Sequence, residues 1–133
     1  MCGITGIFSP KQLFADSIEL VNKMNSKQKH RGPDDEGVWN NENCALGHVR
    51  LSIIDLSKDG HQPFFSDDKR YVLTYNGEIY NYIELREELI LLGWNFKTKT
   101  DTEVLLKAYQ EWNNNCLRKF NGMFTFAIYD TIE

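Results

Sequence analysis

Apolar and polar positions alternate with two different periods along the chain, and the switches between them mark its elements. The opening Cys2-Gly3-Ile4-Thr5-Gly6-Ile7-Phe8 mixes β-branched residues with glycines, which predicts a strand that something approaches closely. Between Phe14 and Gln28 the residues Phe14, Ile18, Val21 and Met24 recur at three- and four-residue steps, predicting a first helix with that stripe inward. Cys44 to Ile54 and Tyr71 to Tyr75 predict strands. Asn81 with Glu84 resembles a capping box, Leu85, Leu89 and Leu92 form the stripe behind it, and Gly93 supplies the stop. Thr100 with Glu103 repeats the capping spacing ahead of Leu105, Ala108 and Trp112, and Met123 to Tyr129 returns to strand. The turn regions are His30 to Gly37, Asp55 to Pro63 and Ser66 to Lys69. The order β, α, several β, α, α, β favours antiparallel pairing and an α+β layered domain over a doubly wound parallel sheet.

Length and charge narrow the functional classes. The 133 residues suit one domain able to bury roughly two-thirds of its unfolded surface. A net charge of −4 with no Lys/Arg block argues against nucleic acid or an anionic membrane as partner, since those contacts need clustered positive charge. The longest uncharged apolar run, Leu89 to Trp94, falls far short of the ~20 residues of a membrane span, and no signal peptide opens the chain. A cytoplasmic protein is expected. Cys2, Cys44 and Cys116 are an odd count without Cys-x-x-Cys spacing, and His30, His48 and His61 never stand at i, i+4. Neither a disulfide framework nor a metal site is predicted.

The candidate chemistry starts at Cys2. Removal of Met1 leaves a thiol and a free α-amine on one residue, and with amine pKa values of about 7.7 to 8.0 and a thiol of about 8.5 the amine can take the thiol proton near neutrality. Asn76-Gly77 has two readings: a hairpin turn, which wins for the dipeptide in isolation, or an amide side chain and a backbone N–H aimed at one developing oxyanion. His30 to Gly37 reads as a solvated charged turn, or alternatively as a pocket wall. Arg50 sits in an apolar run, where it either makes an edge-strand ion pair or captures a substrate carboxylate bidentately. Asp101 opens a predicted helix and there either satisfies free N–H groups or offers its charge to a ligand. A cation, an anion, a thiol–amine pair and an oxyanion turn together match a zwitterionic amino acid attacked at a side-chain carbonyl.

Six segments, in this order, resemble the class II glutamine amidotransferase domain, and most closely that of the glutamine-hydrolysing asparagine synthetases: Met1 to Ile7; HRGPDDEG from His30 to Gly37; Gly47 to Leu56; Gly60-His61-Gln62-Pro63; Asn76-Gly77-Glu78-Ile79-Tyr80-Asn81; and Asp101-Thr102-Glu103-Val104. The resemblance spans nearly the whole chain, and residues 1–133 are read as one such domain. It implies an N-terminal nucleophile hydrolase fold, a four-layer αββα sandwich of two antiparallel sheets lacking its last strands. It further implies that Cys2 attacks the side-chain amide of L-glutamine and that Asn76 and Gly77 donate to the oxyanion. Arg50 would bind the α-carboxylate and Asp101 the α-ammonium, with Ile53 and Glu78 lining the pocket. Cys44 and Cys116 match no family role. No Ser-Gly-Gly-x-Asp loop is present, so ATP and magnesium would belong to a synthetase domain or subunit beyond this chain, and no cofactor is expected in the chain itself. The absent final strands predict an exposed sheet edge and a possible homo-oligomer. A catalytically idle glutamine-binding or interaction module of the same fold is the competing expectation.

Overall fold

In the computed structural model, which describes residues 2–133, the chain runs β1 (Gly3–Phe8), α1 (Ser17–Gln28), β2 (Asp35–Asn40), β3 (Cys44–Arg50), β4 (Phe64–Phe65), β5 (Tyr71–Ile79), α2 (Tyr82–Leu91), α3 (Asp101–Trp112) and β6 (Gly122–Asp130). Met1, and with it the expected freeing of the Cys2 amine, lies outside the described residues. Two antiparallel sheets form, ordered β1-β3-β2 and β4-β5-β6. They face each other, Cys44 and Leu46 packing on Val72, while the Thr74 hydroxyl donates to the Gly47 carbonyl at 3.1 Å. Helix α1 covers the first sheet and α2 with α3 the second. The result is the helix–sheet–sheet–helix sandwich expected from the resemblance.

The larger core lies between β5 and the paired helices, where Leu73, Ile79, Leu89 and Leu105 are fully buried. Each such side chain contributes about 1.5–3 kcal/mol relative to exposure. Thr100 caps α3 as its spacing predicts, its hydroxyl oxygen accepting from the Glu103 N–H at 3.2 Å. Gly93 adopts φ +99° just past α2, a conformation that costs any residue with a Cβ.

Four local expectations are corrected. Helix α1 starts at Ser17, with Phe14 outside it and both Phe14 and Ile18 exposed; its buried face is Ser17, Val21 and Asn25. Asn25 is inward because its amide donates to the carbonyls of Gly37 and His48 at 3.2 and 3.4 Å and its Oδ1 accepts from the Thr5 hydroxyl at 2.8 Å. That polar tie breaks the apolar stripe. Strand β3 ends at Arg50, not Ile54, since the Leu51 N–H turns to the Cys2 sulfur and the Ser52 N–H to the Asp34 carboxylate.

Asn76-Gly77 is not a hairpin turn. Strand β5 continues through it to Ile79, Asn76 opposite Thr125 and Gly77 opposite Phe124. Glycine is required by close approach, because a Cβ there would overlap the Met123 carbonyl oxygen and the Phe124 Cα. Asn81 precedes α2 without capping it; its side chain instead donates to the Lys119 carbonyl and accepts from the Asn121 N–H, both at 2.9 Å. The capping geometry loses to a tie that fixes the start of β6.

Candidate active site

The β1–β3 register pairs Gly3 with Val49, so one step further the chain lays Cys2 alongside Arg50. The Leu51 N–H donates to the Cys2 sulfur at 3.4 Å, the thiol faces the Leu51 carbonyl at 3.7 Å, and Arg31 Nε donates to the Cys2 carbonyl at 3.0 Å. The charged His30–Gly37 segment braces this corner, the Asp34 N–H donating to the Arg50 carbonyl at 3.0 Å, and its second half is not the expected turn, because Asp35, Glu36 and Gly37 pair with β3 as the start of β2.

Arg50 is 7% exposed, yet its guanidinium makes no ion pair among the described residues. Its Nη1 donates to the Ser57 carbonyl at 2.7 Å and its Nη2 to the Asp55 carbonyl. Gly60 makes room for this, because a Cβ at that position would run into the guanidinium. A buried cation held only by neutral carbonyls is poorly compensated until an anion arrives. The edge-strand ion pair weighed for Arg50 is therefore not what forms.

Asp101 is the first residue of α3, and its carboxylate reaches beyond its own helix end. Its Oδ2 reaches β5, accepting from the Tyr75 hydroxyl at 2.6 Å and the Ile79 N–H at 3.1 Å. Burial pushes the Asp101 carboxyl above the ordinary range; the Tyr75 hydroxyl, the Ile79 N–H and its own backbone N–H oppose this, and the neighbouring Glu78 adds to it.

One cavity is lined by Cys2, Arg50, Ile53, Gly77, Glu78 and Asp101. Six of the seven site residues read from the sequence therefore share a surface. Asn76 does not line it. Its side chain projects from the adjacent strand position, and its Oδ1 is buried without a hydrogen-bond partner among the described residues. The same cavity also meets Gly60, Gln62, Tyr75 and Thr102, none of which was expected to take part. Gly60 and Gln62 fall within a quoted motif and Tyr75 directly precedes Asn76, but spacing carries no hint of what they touch.

Behind the site, fully buried His48 links the sheets, its Nε2 lying 3.0 Å from the Tyr75 carbonyl. Desolvation lowers its pKa from 6.5 to about 4, so it is a neutral imidazole whose Nε2–H donates. Among the described residues no group of three or more His, Cys, Asp or Glu is arranged to hold a metal ion, and no helix is long and apolar enough to cross a membrane.

Comparison with known proteins fits this geometry. The family model described as a glutamine amidotransferase domain matches residues 1–133, and the chain belongs to that family. It is 46% identical over 132 residues to asparagine synthetase [glutamine-hydrolyzing] 1 of Bacillus subtilis, covering 98% of this chain and 21% of the relative. It is 45% identical over 150 residues to putative asparagine synthetase [glutamine-hydrolyzing] 2 of Methanocaldococcus jannaschii, covering 98% and 28%. The chain thus spans only about a quarter of such relatives. Among solved structures, glutamine phosphoribosylpyrophosphate amidotransferase from B. subtilis superposes with a TM-score of 0.78 at 21% identity, over 98% of this chain and 35% of that one. That likeness establishes a shared fold.

Proposed function

We propose that this chain is a glutaminase domain that hydrolyses L-glutamine to glutamate and ammonia through a thioester on Cys2. The observation that carries the reading is the buried, ion-pair-free guanidinium of Arg50 in the same cavity as the Cys2 thiol and the Asp101 carboxylate. A cation and an anion flanking a nucleophile complement an α-amino acid whose side chain extends toward the sulfur.

In this mechanism Arg50 takes the α-carboxylate, Asp101 the α-ammonium, and Ile53 and Glu78 line the binding surface. The α-amine of Cys2, freed by removal of Met1, accepts the thiol proton. Sulfur attacks the amide carbon, and the C=O electrons move onto oxygen, where the Gly77 N–H donates; the Asn76 carboxamide, which does not line the cavity, must turn into it to add a second donor. Collapse breaks the C–N bond as the ammonium proton of Cys2 passes to nitrogen, and ammonia leaves. Water, deprotonated by the same amine, then attacks the thioester, releasing glutamate and the thiol. None of these steps calls for a cofactor.

The relatives' names support a destination for the ammonia: an asparagine synthetase-like reaction, with its ATP and magnesium, on a synthetase domain or subunit. The free thiols of Cys44 and Cys116 suit a reducing, cytoplasmic setting.

The test measures glutamate and ammonia release by protein whose N-terminus has been verified by mass, alongside Cys2→Ala and a form retaining Met1. Turnover confined to the processed wild type is expected. Equal turnover by Cys2→Ala would overturn the reading, and turnover by the Met1-retaining form would overturn the attached base.

A further inference from the structure

We infer that Tyr75 is a positioning residue for this site: its phenol fixes which oxygen of Asp101 meets the α-ammonium, and so sets preference for amino-acid substrates over analogues lacking that amine. The inference rests on the glutaminase reading above and deepens it.

A carboxylate on an α3 side chain is free to rotate about its Cβ–Cγ bond unless something holds it. Here the Tyr75 hydroxyl at 2.6 Å and the Ile79 N–H at 3.1 Å both occupy Oδ2. Two donors on one oxygen lock the group and leave Oδ1 without a donor from any other described residue. The phenol is itself anchored at its backbone on both sides. The Tyr75 N–H donates to Gln62 Oε1 at 2.7 Å, and Gln62 Nε2 donates to the Thr102 hydroxyl, next to Asp101, at 3.3 Å. On the other side the Tyr75 carbonyl lies 3.0 Å from His48 Nε2. The distance from β5 to the first turn of α3 is thus set by side chains that converge on Tyr75.

The ring is 3% exposed and belongs to the core, but a phenylalanine would fill the same space. What the hydroxyl adds is the bond to Asp101. Burial and the Asp101 charge raise the phenol well above its ordinary ionisation range, so it stays a donor at any working pH.

The experiment compares wild type, Tyr75→Phe, Asp101→Asn and the double variant. Ammonia release is followed with L-glutamine and with 4-carbamoylbutanoate, the same molecule without its amine. Loss of one hydrogen bond to a charged group predicts a rise of about tenfold in the KM of Tyr75→Phe for L-glutamine, kcat staying within about twofold. Its kcat/KM for 4-carbamoylbutanoate is expected to match wild type, and in the Asp101→Asn background Tyr75→Phe should add nothing further. Equal losses on both substrates, no loss on L-glutamine, or additive losses in the double variant would each overturn the inference while leaving the glutaminase reading intact. A processed wild type that does not hydrolyse L-glutamine would overturn both.

Discussion

Acidification of the protein and of its His48→Gln variant tests whether the sheet-to-sheet link behind the site is built as described. His48 is fully buried, and its Nε2 donates across the layer to the Tyr75 carbonyl. Desolvation lowers its pKa from 6.5 to about 4; Arg50 and His61 push the same way, the bond to Tyr75 and the charge of Asp35 oppose, and burial wins. Between those two values the unfolded chain binds a proton at this residue that the native state does not. Stability from this group is therefore complete above the unfolded pKa and falls as pH drops through the folded one. The displacement is worth about 3 kcal/mol in all, roughly half of it lost by pH ~5.5 and most of it by pH ~4.5.

Glutamine places an amide nitrogen where Nε2 stands and does not titrate in this range. The shared carboxylates respond alike in both proteins, so the difference between their urea-unfolding free energies isolates the imidazole. At neutral pH the wild type should be the more stable, and its advantage should shrink by about 2–3 kcal/mol on going to pH ~4.5. A difference that stays flat with pH would refute the neutral, buried donor.

Gly60→Ala should displace the Arg50 guanidinium from the 55–57 carbonyls and reduce kcat/KM for L-glutamine about tenfold or more, with kcat the less affected; unchanged kinetics would contradict the packing. Alkylation at mildly alkaline pH should label Cys2 alone in the native protein, because burial raises Cys44 to about 11 and also raises Cys116; peptide mapping that finds either buried thiol labelled as fast as Cys2 would contradict this. Thr100→Ala should cost about 1 kcal/mol by denaturant unfolding through loss of the α3 cap, and should also loosen Asp101 one residue on, which a raised KM would report.

Local chemistry was readable where it was decided locally. The Thr100 cap, the Gly93 stop, the Leu85 and Leu89 stripe and the β6 strand follow from neighbours within one turn or one pleat. The misreadings arose where a distant group imposed the answer. Asn76-Gly77 is a turn dipeptide by every short-range rule, yet pairing along the whole of β6 holds it extended. Helix α1 faces inward with Asn25 because two carbonyls on other strands bind it. In the site, Cys2, Arg50 and Asp101 were legible because a charge or a terminal thiol in an apolar setting needs a reason. Tyr75, Gln62 and Gly60 were not. A buried tyrosine, an amide and a glycine have ordinary structural uses, and only the fold shows Gly60 against a guanidinium and Tyr75 on the Asp101 carboxylate.

The most direct measurement is a crystal structure of the Cys2→Ala protein with L-glutamine bound. The predicted result has the α-carboxylate on the Arg50 guanidinium, the α-ammonium on Asp101 Oδ1, and the side-chain amide carbon within about 3.5 Å of the position the sulfur occupies in the wild type. Glutamine bound outside this cavity, or seated in it with its carboxylate away from Arg50 and its amide away from position 2, would contradict the account.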